Sequence, residues 1–225
     1  MNFPFTVEQF LGIFAEYNQT VWPMQLVLYG VAVGTTALLW VPARLKPTDR
    51  LISAVLSLLW LWMAIAYHFL FFSTINSAAW FFGALSIFAA ALFAWYGIVE
   101  SRLRFRTNQK IWRSLGGLLI FLALVLYPVI GHFLGNRYPS TPTFGLPCPT
   151  TIFTLGVLMF AQPYPRAVVG VPLLWCAIGS IAAFKLGVRQ DLALLLAGVL
   201  TLPAFYLRQH AHHLPRTNPT TLSVG

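Results

Sequence analysis

Charge is scarce in this chain. Asp, Glu, Lys and Arg make up 8% of its 225 residues, against about 25% in an ordinary soluble domain. With 58% hydrophobic residues, a chain of this length has too little polar surface to clothe a water-soluble fold, which excludes that class and makes a bilayer the natural solvent. Acidic residues are the scarcest charge, five against fourteen Lys and Arg, for a net charge of +9. Cysteine is nearly missing too. Two of them make neither a disulfide framework nor a CxxC pair, and no HxxxH spacing occurs, so the sequence names no cofactor. The opening MNFPFTVEQF lacks a basic region and a small-residue cleavage site, so no cleavable secretory signal is expected. No internal repeat is visible. The alternation of a membrane β-barrel is missing as well, because the apolar runs occupy both parities.

What is present is a series of long apolar runs. They lie near 21–42, 51–72, 78–99, 114–134, 149–162, 167–186 and 191–207. A membrane-crossing helix needs about 20 residues. The fifth run falls short unless part of the Pro/Thr segment before it also enters the membrane. Residues 6–17 form a separate short helix: Thr6 with Gln9 fits a capping box, and Phe10, Ile13, Phe14 and Tyr17 share a face. With Glu8 and Glu16 it is expected to lie on the membrane surface. The fold expected is an all-α polytopic transmembrane helix bundle of seven spans in one domain, 1–207, followed by a flexible cytoplasmic tail, 208–225.

The basic residues give a direction. With seven spans, eleven Lys and Arg fall on the side holding the loops near 43–50, 100–113 and 163–166 and the C-terminal tail, and three on the other. The positive-inside rule then puts the N-terminus outside and the C-terminus in the cytoplasm. In a soluble protein such a basic excess suggests nucleic acid. Confined to short loops, it suggests the lipid bilayer and its anionic headgroups as partners instead, and no nucleic acid. Asp49 and Glu100 read as neighbours of these loops. HAHH at 210–213 has a His-x-His spacing but lies past the last span. Asn18 opens an N-Q-T that matches a glycosylation sequon. Small residues recur every three or four positions at Gly83, Ser86, Ala90, Ala94 and Gly97, and again at Cys176, Gly179 and Ala183, which predicts close helix–helix seams.

The polar residues gather near the outer side: His68, Asn76, His132, Tyr138, Thr143, Cys148, Thr150, Thr151, Lys185 and Asp191. Polar groups within spans are costly and tend to face a bundle interior or a wet cavity. The string TPTFGLPCPTTIFTLG, residues 141–156, sits among them. Its prolines withhold backbone donors and its threonines can satisfy carbonyls left alone. Residues 139–149 are therefore expected to fold inward and line an outward cavity, with Cys148 and Thr150 at the head of the fifth helix; an ordinary surface loop is the other reading. His68, His132 and Cys148 are the candidates for metal or haem ligation. Lys185 and Asp191 bracket a tight loop and read as a solvated pair, with Asp191 also placed to cap the last helix.

The strings YHFLFFSTINSAAWFFG (67–83) and YPSTPTFGLPCPTTIFTLG (138–156) resemble an uncharacterised bacterial family of small polytopic membrane proteins, catalogued as a domain of unknown function. FTVEQFLGIFAEYNQTVWP and WCAIGSIAAF, near the two ends, are similar to it too. The resemblance spans roughly residues 3–205. It implies a bacterial inner membrane, brings a permease-like label for some members, and carries over no functional residue. The leading expectation is a small permease-like transporter whose outward cavity is lined by segment 139–151 and takes a small-molecule or ion ligand. The alternatives are a metal- or haem-binding redox protein or enzyme using His68, His132 and Cys148, and an accessory or sensory membrane protein without chemistry of its own. No catalytic set is specified.

Overall fold

The computed structural model describes residues 4–41 and 46–210. Among these residues the chain forms eight helices and no strand. The first, α1 (Val7–Thr20), starts as its sequence dictates. The Thr6 hydroxyl accepts the Gln9 N–H at 3.2 Å, and the Gln9 side chain accepts the Thr6 N–H at 2.8 Å, the reciprocal pairing of a capping box. Phe10, Ile13, Phe14 and Tyr17 form its buried face. The chain then bends by 86° into α2 (Met24–Trp40), so α1 lies across one end of the bundle.

Three long rods follow: α3 (Pro47–Thr74), α4 (Ala79–Val99) and α5 (Lys110–Phe133). Each contains one π-helical stretch, at Met63–Phe69, Ala94–Val99 and Leu122–Leu126. The last three helices are α6 (Pro147–Leu158), α7 (Ala167–Leu186) and α8 (Leu192–His210), the last entered through a 3-10 turn at Arg189–Asp191. Among the described residues, five stretches are long and apolar enough to cross a membrane: α3, α4, α5, α7 and Arg189–Arg208. Helices α1 and α2 meet that test only as a bent pair, and α6 is a shorter apolar helix.

Helix α6 is the centre of the fold. Pro147 and Pro149 fall in its first turn, where an N–H has no partner inside the helix. At 12 residues it is about 18 Å long, too short to cross a bilayer alone. Apart from Cys148, every residue of it is buried. Thr154 accepts a hydrogen bond from Trp60 Nε1 at 3.1 Å. Against α5 the backbones nearly touch at Gly116 and Gly156: a Cβ on Gly116 would stand 2.7 Å from the Gly156 carbonyl, and one on Gly156 would stand 3.0 Å from the Gly116 carbonyl. The expected fifth span, 149–162, is thus shorter at its far end. The chain leaves the helix after Leu158 and pairs its backbone with another loop, Gln162 N–H to Arg104 C=O at 2.6 Å and Thr107 N–H to Phe160 C=O at 3.0 Å, before Pro163 and Pro165.

The contacts sort the loops to two ends. At one, the Asp49 carboxylate accepts from Phe105 N–H and from the Arg106 guanidinium at 3.1 Å and 2.8 Å, and Glu100 pairs with Arg102 at 3.1 Å. Arg50, Arg102, Arg104, Arg106, Lys110 and Arg113 belong to this end. Arg208 does too. It is part of α8 rather than of a tail, buried, donating to the carbonyls of Met159 and Ala161 and lying over the rings of Trp112 and Tyr164. The remainder of the expected tail, with HAHH from residue 211 onward, lies outside the described residues. At the other end sit α1, the Pro/Thr segment and the loops near 74–79 and 186–191.

The small-residue seams form where expected. Ser57 of α3 donates to Ala90 C=O of α4 at 2.9 Å, and a Cβ on Gly97 would overlap Ser53. Between α7 and α8, a Cβ on Gly179 would overlap Leu194. The outward faces of the helices are apolar instead, with side chains such as Phe81, Phe88, Ile181 and Leu202 exposed.

Candidate functional site

The Pro/Thr segment folds inward. Pro142, Phe144, Gly145, Leu146 and Pro147 are buried. What holds it is Asn18, near the end of α1 and fully buried. Its amide donates to Pro139 C=O at 2.6 Å and to Thr141 C=O at 2.8 Å, and its side-chain oxygen accepts from the Thr143 hydroxyl at 2.6 Å. Its backbone carbonyl accepts from Gln25 at 2.8 Å and from the Tyr138 hydroxyl at 3.3 Å. A side chain so engaged is not presented as a glycan acceptor, so the sequon match has no bearing on this fold. Beyond the clasp, Gly145 takes φ +101°, where its missing Cβ lets Leu28, Tyr17 and Trp62 close in; its N–H donates to Thr150 Oγ1 at 3.2 Å.

Between α1 and this segment lies a cavity of about 440 Å³. Phe10 and Phe14 of α1 form one wall. The π-helical stretch of α3 supplies Tyr67 and His68, α4 supplies Phe82, and α7 supplies Trp175, Gly179 and Ala182. Leu146 and Cys148 close the side next to α6, with Asp191 beside them. The extra residue in a π turn shifts the register of a helix face, and three consecutive residues, Ala66, Tyr67 and His68, are buried there. Tyr67 meets α1 through Phe14 and Tyr17. His68 faces the other way, with ring centroids 5.2 Å from Trp175 and 5.9 Å from Phe82.

Of the ten residues singled out from sequence, His68, Asn76, Cys148, Lys185 and Asp191 line this cavity. Tyr138 and Thr143 hold the clasp instead, and Thr150 caps Gly145. Thr151 is buried, and its hydroxyl has no partner among the described residues. His132 is exposed near the end of α5, next to Phe133, so the trio His68, His132 and Cys148 is not gathered at one place. Among the described residues no group of three His, Cys, Asp or Glu side chains is close enough to hold a metal ion. Asp191 is not half of a solvated pair either. It is buried, and its carboxylate accepts from the Tyr127 hydroxyl. Lys185, in contrast, is exposed.

Sequence reasoning noted Asn18 only as a sequon match and passed over Tyr127 and Trp175. Asn18 carried a signal, a polar residue next to aromatics at the end of an amphipathic helix. Tyr127 and Trp175 lie inside apolar runs and carried none.

The chain belongs to the family of unknown function DUF6064, whose profile matches residues 7–216. No curated protein and no solved structure matches it.

Proposed function

We propose that this is a multi-pass membrane protein, permease-like in design, that takes a small and mainly apolar ligand into the cavity under α1 from the outer side. The cavity carries the reading. Its size falls within the range of about 300–1,000 Å³ usual for small-molecule sites, and a few polar groups set among aromatic walls is the pattern such sites share. In the same proposal α2, α3, α4, α5, α7 and α8 cross the bilayer, while α6 and the folded-in Pro/Thr segment together make a broken seventh crossing. Irregular backbone at that depth is tolerated because protein encloses it. The apolar outer faces of the helices and the gathering of basic loops at one end support this placement, with that end cytoplasmic against anionic headgroups and α1 resting at the opposite surface.

The test is ligand-induced stabilisation of the purified protein in mild detergent. A ligand at a hundredfold its Kd stabilises by about 2.7 kcal/mol, a clear rise in Tm. Ala182 lines the cavity and is half-buried. Ala182→Trp fills the space, so the variant should fold and lose the ligand-induced rise. Stabilisation of the filled variant equal to that of the wild type would remove the cavity from the function. Flux of the same ligand into proteoliposomes then separates a carrier from a protein that only binds.

A further inference from the structure

Three buried nitrogens at the cavity wall have no partner among the described residues: Trp175 Nε1 and both ring nitrogens of His68. The two side chains are 6% and 0% exposed. Their rings meet edge to face with centroids 5.2 Å apart, and Trp175 Nε1 lies 3.7 Å from where a Cβ would stand on Gly179, itself a wall residue. Buried donors normally find partners, and an exception asks for one from outside the chain. An indole N–H can only donate, and a neutral imidazole donates once and accepts once. A carbonyl oxygen, with two lone pairs, is the simplest group that answers two neighbouring donors.

The remaining walls describe the rest of the molecule. Phe10, Phe14, Tyr67, Phe72 and Phe82 surround the space with aromatic faces and edges, which suit a flat ring in offset or edge-to-face contact. The carboxylate at the wall, Asp191, is already engaged by Tyr127, and the lysine is on the exposed side. Walls this apolar disfavour an ionised guest. Resting on the cavity reading above, we infer that the ligand is an uncharged aromatic carbonyl compound, held between the rings and hydrogen-bonded through its oxygen to Trp175 and His68.

The experiment compares two probes by titration calorimetry against the full-length protein in detergent micelles, with protein-free micelles as blank. One is duroquinone, a fully methylated benzoquinone whose substituted ring hinders addition by the Cys148 thiol. The other is durene, the same methylated ring without oxygens. Duroquinone should bind about tenfold or more tightly than durene, the worth of one or two hydrogen bonds. His68→Phe and Trp175→Phe, which keep an aromatic ring in place, should each bring duroquinone towards the durene value. Equal binding of the two probes to the wild type, abolished by Ala182→Trp, overturns the carbonyl inference and leaves the cavity reading standing. Binding of neither probe, with heats identical for wild type and the filled variant, overturns both. The wild-type comparison needs no variant to fold, so a poorly folded His68→Phe would not protect the inference.

Discussion

At the scale of single residues, the molecule turns on Asn18. One amide holds two backbone carbonyls and a threonine hydroxyl, 121 to 125 residues away along the chain. Removing it leaves those part-buried groups without partners, at up to about 1–3 kcal/mol each. Asn18→Ala should therefore lower stability by about 2–4 kcal/mol, read as a fall in Tm. Asn18→Asp should be no better, because the two donors facing Pro139 and Thr141 become an oxygen that repels them. If the residue mattered only as filler, Asp would be tolerated. A second reading comes from Cys148, which should react faster with a maleimide in Asn18→Ala, since the segment that shields it is released.

At the scale of elements, α6 and α7 make opposite demands on their side chains. Ile152 on α6 is fully buried and Ile181 on α7 is 59% exposed. Ile152→Ala should cost about 2–5 kcal/mol through lost contacts and the cavity left behind, and Ile181→Ala less than about 0.5 kcal/mol; thermal unfolding of the two variants side by side checks this, and equal losses would mean that α6 is not the packed centre. The same contrast explains what the sequence could say. Helix α1 was legible to the residue at its start because a capping box is local chemistry, and the long apolar runs announced α3, α4, α5, α7 and α8. Helix α6 was legible as apolar, but its end after Leu158 depends on backbone pairing with residues 104–107, which no local pattern encodes. Half of the candidate site was visible as polar residues on one side of the chain. Its aromatic half was hidden, because Phe82 and Trp175 look like any other residues of a lipid-facing run until α1 folds over them. His132 shows the reverse error: similar depth in two separate runs says nothing of which way a helix face turns.

At the scale of the whole molecule, the proposed orientation makes a prediction of its own. In a background lacking Cys148 and Cys176, a cysteine at Asn136 should be labelled by a membrane-impermeant thiol reagent added to intact cells, and one at Ser101 only after the membrane is opened, because the two belong to opposite ends of the bundle. Labelling of both from one side would reverse or dissolve the proposed crossings. The enclosed position of α6 has a consequence for how such a protein is made. A helix of 12 residues with protein on all sides gains nothing from meeting lipid first. During synthesis it leaves the ribosome before α7 and α8, two of the helices that surround it, exist. It must wait at the membrane, covered only by the helices already made, until they arrive. A chain stopped after Ala161 would hold this apolar helix with its enclosure unfinished, and the cell's quality-control proteases, rather than the bilayer, would be its next partner.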